Sequence, residues 1–98
     1  MFVKIHKSYR DVVAVCDSDL IGKKFEEGNF QLDAKENFFK GEELPEKEVM
    51  DILVKMTKED ATFNIIGKNS VNLALKTGII SEKSVGKIQD TPFALVLL

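Results

Sequence analysis

The side chains best suited to nucleophilic chemistry in this 98-residue sequence are a single cysteine, Cys16, and a single histidine, His6. A thiolate–imidazole pair requires the two side chains to lie within hydrogen-bonding distance. We expect them on opposite strands of a hairpin that turns near Ser8 and Tyr9, which places Asp11 opposite His6. At ~3.3 Å per residue, the two side chains are then more than ~10 Å apart. The sequence therefore predicts a buried, structural Cys16 and no catalytic residues.

Carboxylates are concentrated at Asp17 and Asp19 and in the acidic stretch from Gly41 to Glu48. Because Mg²⁺ takes hard oxygen ligands and needs only one or two carboxylates, Asp17, Asp19 and Glu42 are candidate ligands or proton carriers. Nothing in their spacing makes them converge, and helix capping explains the same residues. One histidine and one cysteine are too few for the usual zinc sites. We therefore expect no metal and no cofactor.

The segment best suited to binding a ligand is Gly67-Lys68-Asn69-Ser70, where an apolar strand leads into a helix through a glycine. Backbone N–H groups, the positive end of the helix dipole, the Lys68 ammonium and the Ser70 hydroxyl could together hold a phosphate or carboxylate. There is one glycine, and neither a P-loop nor a dinucleotide fingerprint is present. An ordinary turn, with Asn69 or Ser70 capping the helix, is the alternative.

A second candidate surface is basic. Lys4, Lys7, Tyr9 and Arg10 place cations beside an aromatic ring at the first hairpin, and further lysines lie in the last third of the chain. Contact with structured RNA would use such residues, although RNA-stacking rings normally lie on an open sheet face. The seven phenylalanines are mainly candidates for the core.

The balance of charge limits the class of partner. The chain carries fourteen basic and sixteen acidic side chains, a formal charge of -2. Residues 1–10 hold three bases and no acid, residues 11–66 hold seven bases and fourteen acids, and residues 67–98 hold four bases and two acids. This pattern excludes a polycationic coat for nucleic acid. It predicts that a partner is recognised by a local patch.

Hydrophobic periodicity places a hairpin and then a helix in the first third of the chain. The hairpin joins residues 2–6 to residues 11–16. Asp17 then provides an N-cap for a short helix that extends to about Glu27 and ends at Gly28. The inward-facing residues of this helix are expected to be Leu20, Ile21 and Phe25.

The middle of the chain contains the clearest helix. Phe30 and Leu32 alternate with polar residues as in a strand, and Asn37 to Gly41 is an aromatic segment closed by a turn glycine. Pro45 suits the first position of a helix because its missing N–H has no intrahelical partner there. The apolar stripe that follows consists of Val49, Ile52, Leu53 and Met56.

The last third reads as a strand, a helix, a shorter helix and a final strand. Residues 61–66 form the first strand, and the helix after Gly67 buries Val71, Ala74 and Leu75 and ends at Gly78. Ser81 is an N-cap candidate for a short helix that buries Val85 and Ile88. Residues 93–98 contain no polar side chain and predict a central strand covered on both faces.

These elements predict a single α+β domain: one sheet with an N-terminal hairpin, helices packed on it and a buried C-terminal strand. The chain also resembles a family of roughly hundred-residue archaeal proteins known as a domain of unknown function (family 424). The resemblance extends over nearly the full length. The residues that carry it are Cys16 to Lys23, Glu27-Gly28, Phe38 to Glu42, Asn64 to Gly67, Ala74, Gly78 and Pro92.

The resemblance implies an archaeal, cytoplasmic source and an α/β domain, and it brings no established activity. In the family the residue after the final proline is often histidine, whereas here it is Phe93, so no histidine role is transferred. Without a catalytic set, the leading hypothesis is a non-enzymatic binding module for a protein or structured RNA, associated with translation or RNA processing.

Two alternatives remain open at this point. One is a small domain or enzyme that binds an anion or nucleotide at Gly67 to Ser70, with Asp17, Asp19 or Glu42 near the ligand. Three candidate loops, Asp17 to Lys23, Gly41-Glu42 and Asn64 to Gly67, would then form one surface at the same end of the sheet. The other is a homodimer formed through the exposed edge of the first hairpin. The chain begins without a secretion signal and has no apolar run of the ~20 residues that span a bilayer, so no membrane partner is expected.

Overall fold

Eight strands and three helices make up the computed structural model, which describes residues 1–97. The strands are β1 Phe2–His6, β2 Val12–Cys16, β3 Lys24–Glu27, β4 Phe30–Asp33, β5 Glu42–Glu43, β6 Thr62–Ile66, β7 Gly86–Ile88 and β8 Thr91–Val96. The helices are α1 Glu36–Phe39, α2 Glu46–Lys58 and α3 Lys68–Thr77. Single turns of 3-10 helix cover Ser18–Leu20 and Glu82–Ser84.

Six strands form one mixed sheet in the order β5-β1-β2-β6-β8-β7, in which β2 and β6 run parallel and the other neighbours run antiparallel. The long helices α2 and α3 cover one face of this sheet, and α1 with the small β3–β4 sheet covers part of the other. The predicted α+β class, with helices packed on one main sheet, is confirmed.

The position of β2 at the centre of the main sheet explains its apolar sequence. Val13 and Val15 face the helices, and Ala14 and Cys16 face the opposite layer. Because side chains alternate between the faces of a strand, a strand covered on both sides must be apolar at every position. The parallel pairing of β2 with β6 requires a crossover, and the 45-residue stretch 17–61 between them supplies it.

The most strongly periodic helix forms as predicted. Helix α2 begins at Glu46, one residue after Pro45, and buries Val49, Leu53 and Met56. The i, i+3/i+4 spacing of these three residues makes a single apolar stripe against the sheet. Helix α3 and the glycine at its end, Gly78 with φ 81°, also form as predicted.

The first hairpin forms with a register one residue away from the prediction. His6 lies opposite Val12 rather than Asp11, and Cys16 lies opposite Phe2. The turn is one residue longer than expected, and within it Asp11 accepts bonds from the Lys7 ammonium and the Ser8 N–H. Strand β2 therefore begins at Val12.

The predicted helix from Asp17 to Glu27 is wrong. Only one 3-10 turn follows Asp17, and residues 24–33 form the β3–β4 hairpin. Gly22 and Gly28 have positive φ angles of 84° and 61°, which interrupt a helix. Gly28 occupies the first central position of a two-residue hairpin loop, where glycine is favoured. Leu20 and Ile21 pack beneath this hairpin.

The predicted short helix after Ser81 is also wrong. A single 3-10 turn precedes β7, and Ile88 is buried as a strand residue. A two-residue loop joins β7 to β8, and both of its residues have positive φ, 49° at Gln89 and 62° at Asp90. Two positive φ angles define the type I′ turn, whose twist matches that of the flanking strands.

The C-terminal strand lies within the sheet, between β6 and β7, rather than at its centre. It begins at Thr91, so Pro92 is part of the strand. Ala94 is buried, whereas Leu95 is 52% exposed, so β8 is less fully covered than the sequence predicted. Leu98, the last residue of the predicted strand, lies outside the described residues.

Candidate functional site

The most distinctive polar contact of the molecule joins Asp17 to the beginning of α3. Asp17 follows β2 directly, and its carboxylate oxygens accept the N–H of Asn69 at 3.0 Å and the N–H of Ser70 at 2.8 Å. The Ser70 hydroxyl donates a third bond at 2.7 Å. Asp17 is 5% exposed and Ser70 is fully buried. A carboxylate at the positive end of the helix dipole is thus held by three hydrogen bonds.

Gly67 makes the room for this carboxylate. Its φ is 113°, and a Cβ atom there would lie 2.6 Å from Oδ2 of Asp17. Its N–H donates to the carbonyl of Pro92, which fixes the turn against β8. The glycine is therefore required both by its backbone conformation and by the close approach of the Asp17 side chain.

The candidate anion site at Gly67, Lys68, Asn69 and Ser70 therefore has an internal occupant. The N–H groups of Asn69 and Ser70, which an external phosphate would need, are bonded to Asp17. An incoming anion would have to displace this carboxylate or bind beside it against the repulsion of its negative charge. The sequence left open an anion site and an ordinary turn capped by Asn69 or Ser70, and it missed that Asp17 caps this helix end.

Two of the three candidate loops converge. Asp17 and Asp19 meet Asn69 in a cleft of about 510 Å³, and the chain just before α2 completes it. The lining residues are Met1, Asp17, Ser18, Asp19, Leu44, Pro45, Glu46 and Asn69. Leu44 to Glu46, rather than Gly41 and Glu42, thus contribute the third segment.

Gly41 and Glu42 lie elsewhere on the sheet. Glu42 pairs with Val3 in β1, and Gly41 packs against the backbone of Val3 and Lys4. Glu42 is two strands away from Asp17 and two residues back along the sheet, on the order of 12 Å at the usual strand spacings. Gly41 serves as a close-packed turn beside β1.

Cys16 and His6 are held apart. They are four residues apart along the hairpin register, or ~13 Å. Burial, with the nearby charges of Asp17 and Asp19, raises the pKa of the Cys16 thiol from 9.0 to about 12. The His6 ring stacks on Phe38 with centroids 4.4 Å apart, and its Nε2 lies 2.9 Å from the Phe38 carbonyl oxygen.

The four residues of the predicted basic surface do not form one patch. The Lys4 ammonium donates to the Asn37 carbonyl, and Lys7 pairs with Asp11 at 3.2 Å. Tyr9 is fully exposed, and it lines a shallow depression with Arg10. The other residues lining that depression are Asp11, Glu59 and Asp60. Three acidic residues thus share this depression with Tyr9 and Arg10.

Residues 1–97 contain neither a cluster of metal ligands nor a membrane-spanning helix. No group of three or more histidine, cysteine, aspartate or glutamate side chains could hold a metal ion in this part of the chain. None of its helices combines the length and apolarity needed to cross a bilayer.

A groove of about 740 Å³ lies between α3 and the β7–β8 hairpin. Its residues are Lys68, Val71, Asn72, Leu75, Glu82, Val85, Lys87, Asp90 and Pro92. We call this the α3 groove. The sequence did not predict it, because one wall consists of β7 and the turn before it, which were expected to form a helix.

Comparisons with known proteins agree with this architecture. Residues 6–98 match the family described as "Protein of unknown function (DUF424)", which confirms the resemblance indicated by the sequence motifs. A solved structure, described as the crystal structure of an uncharacterized conserved protein from Methanopyrus kandleri, superposes with a TM-score of 0.85. The two chains are 20% identical, and the superposition covers 97% of this chain and 88% of that chain. No curated protein matches the chain.

Proposed function

This chain belongs to the DUF424 family, and from the chemistry of its surface we propose that it is a non-enzymatic module that binds another protein. The observation that carries the proposal is the α3 groove, about 740 Å³ in volume and open to solvent. A concave surface with apolar residues and a few polar groups is the default candidate for a binding site.

The groove has the composition of a protein-recognition surface. Its apolar residues are Val71, Leu75, Val85 and Pro92. Charged residues of both signs surround them: Lys68 and Lys87 on one hand, Glu82 and Asp90 on the other. An apolar floor with a polar rim is the usual anatomy of a protein interface. Two acids beside two lysines make the groove a poor match for a polyanion such as RNA.

The groove lacks the features of an enzyme site. Catalytic acids and bases are commonly buried groups whose environment adjusts their proton affinity. Among residues 1–97, the buried polar side chains are Asp17 and Ser70, and neither lines the α3 groove. Asp17 and Ser70 bond to each other and to the start of α3, so they support the fold.

Selection of peptides tests the proposal directly. A phage-displayed library of random linear peptides is panned against the whole protein, and the selected peptides are synthesised. We expect backbone amide shifts on titration at Val71, Leu75 and Val85. Asn72→Trp, an exposed position that faces the groove, should fill it and weaken binding by about tenfold or more.

Val54→Trp is the matched control, because Val54 is an exposed helical position on α2 outside the groove. It should leave peptide affinity unchanged. Enrichment of no peptide, or equal affinity of both variants for the selected peptides, contradicts the proposal.

A further inference from the structure

The outer edge of β7 presents free main-chain groups beside the α3 groove. In an antiparallel pair, residues that exchange both hydrogen bonds alternate with residues that exchange none. Lys87 lies opposite Pro92, which has no N–H. The bonded pairs are therefore Gly86 with Phe93 and Ile88 with Thr91. It follows that the N–H and C=O of Lys87 point away from β8.

No other strand uses these groups. Within residues 1–97, β7 pairs with β8 alone and forms the end of the main sheet. The next outward-facing N–H along this edge, that of Gln89, is bonded to the Glu27 carboxylate at 3.0 Å. In the other direction, the Val85 N–H donates to the Glu82 carbonyl at 3.2 Å, so the free main-chain groups of this edge are those of Lys87.

The free edge and the groove lie side by side. The side chains of Val85 and Lys87 line the groove on one wall, and Val71 and Leu75 of α3 line the other. A strand added to β7 would present alternate side chains to the apolar wall of α3, because side chains alternate between the two faces of a strand. Main-chain pairing and side-chain pockets are the two requirements of strand addition.

We propose that the protein partner contributes an extended segment that adds to the outer edge of β7 as a further strand. Its backbone bonds to the N–H and C=O of Lys87, and its alternate apolar side chains enter the groove against Val71 and Leu75. This inference rests on the proposed function, and it adds the conformation of the bound segment and the atoms that bind it.

The edge of β7 differs from the opposite edge of the sheet. There, β1 is paired with the two-residue strand β5, whose side chains are Glu42 and Glu43. Charged side chains and short strands are the usual means of blocking an edge. Beside that strand, the Lys4 ammonium and the His6 ring contact the main chain of the α1 segment. β7 is also short and carries the charged Lys87, but its edge adjoins the apolar residues of the α3 groove.

Strand addition is tested by comparing the variant Lys87→Pro with the control variant Lys87→Ala. Proline at this position removes the outward N–H and breaks no hydrogen bond to β8, because Lys87 does not bond to Pro92. Peptides selected on the wild-type protein should bind Lys87→Pro at least about tenfold more weakly and Lys87→Ala nearly as well as wild type. Comparable melting temperatures of the two variants confirm that both are folded.

Peptides methylated on alternate backbone nitrogens provide an independent measurement on the wild-type protein. Methylation of one alternate set should abolish binding, and methylation of the other set should have little effect, since a strand uses only alternate N–H groups toward one neighbour. This readout does not depend on the folding of Lys87→Pro.

The outcomes separate this inference from the proposed function. Binding that Asn72→Trp abolishes, but that Lys87→Pro and backbone methylation leave unchanged, indicates a helical segment in the groove and overturns strand addition alone. A concentration-dependent dimer that Lys87→Pro converts to a monomer identifies a second copy as the occupant and overturns the proposal of a separate partner. Peptides that bind outside the groove overturn both.

Discussion

At the scale of single residues, the centre of the fold is a carboxylate used for structure. Burying a charged group is costly unless the charge is paired or hydrogen-bonded. Asp17 accepts three hydrogen bonds from Asn69 and Ser70 at the positive end of α3. The Asp17 carboxylate thus occupies the position that a bound anion would take at the N-terminus of α3. It also links the end of β2 to the end of β6.

Removing this carboxylate should be strongly destabilising. Asp17→Ala leaves two buried N–H groups and a hydroxyl without their acceptor, and we expect a loss of about 2–4 kcal/mol in the free energy of unfolding. Formate should then stabilise the variant more than the wild-type protein, because it can occupy the vacated site. Asp19→Ala, at an exposed neighbour, should change stability little. Urea unfolding with and without formate measures both effects, and equal stabilisation of all three proteins would contradict the prediction.

The raised pKa of Cys16, about 12, gives stability a defined pH dependence. The folded state retains the thiol proton above pH 9, where the unfolded chain releases it. The free energy of unfolding should therefore fall as pH rises from about 9 toward 12, by at most ~1.4 kcal/mol per pH unit from this group. Cys16→Ala lacks this contribution. Urea unfolding across this pH range should show a shallower decline in the free energy of unfolding for Cys16→Ala than for the wild-type protein. Parallel declines would contradict the prediction.

At the scale of elements, the sequence predicted the parts that depend on local periodicity. The stripe Val49, Leu53 and Met56 and the apolar residues of β6 specify their elements within a few residues. The helix after Asp17 failed for a physical reason that is not local. The Asp17 side chain caps α3, fifty residues away along the chain, so it does not cap a helix of its own.

The sequence did not predict β7 and the turn that follows it, again because the features that form them are not periodic. The type I′ turn at Gln89 and Asp90 lacks the Asn-Gly sequence typical of such turns. Gly86 passes beneath the Phe93 ring, where a Cβ would lie 2.7 Å from its Cζ atom. Neither feature has a periodic signature in the sequence. The α3 groove and the free edge of β7 depend on both, so the candidate site emerged only with the tertiary structure.

This turn is also a place where the fold can be improved. Replacing Gln89 and Asp90 by Asn and Gly supplies residues that favour positive φ, and we expect the double variant to gain about 0.5–1 kcal/mol. The bond from residue 89 to Glu27 uses a backbone N–H and is retained. Thermal unfolding measures the gain, and a lower melting temperature would be inconsistent with the assigned turn.

Two glycines with positive φ should respond very differently to alanine. Gly67→Ala forces a methyl group into the Asp17 carboxylate, so we expect a loss of about 3 kcal/mol or more, the range of severe core changes. Gly78→Ala meets no atom within 4 Å and carries only the cost of a left-handed conformation, about 1 kcal/mol. Chemical denaturation measures the stability of both variants. Similar losses in the free energy of unfolding would contradict the prediction and show that the Asp17 side chain moves to make room for the methyl group.

At the scale of the whole molecule, the charge pattern of the sequence does not persist in three dimensions. The basic first ten residues lie on β1 and its turn, where Arg10 lies beside Glu59 and Asp60 of the acidic middle region. Lys76 of α3 is 3.6 Å from Glu46 of α2. At these two places, basic residues of the chain ends lie beside acidic residues of the middle region, which lowers the local positive potential.

We therefore expect no salt-dependent binding of structured RNA. A protein that neutralises several phosphates loses affinity steeply as salt rises, with a slope of about -0.7 to -0.9 per contact. Filter retention of tRNA at low salt should equal that of a matched acidic control protein. The double variant Glu59→Gln, Asp60→Asn should gain weak retention, since it removes the acids beside Tyr9 and Arg10. Retention of tRNA by the wild-type protein that falls with rising salt and that Arg10→Gln reduces would instead identify RNA as a partner.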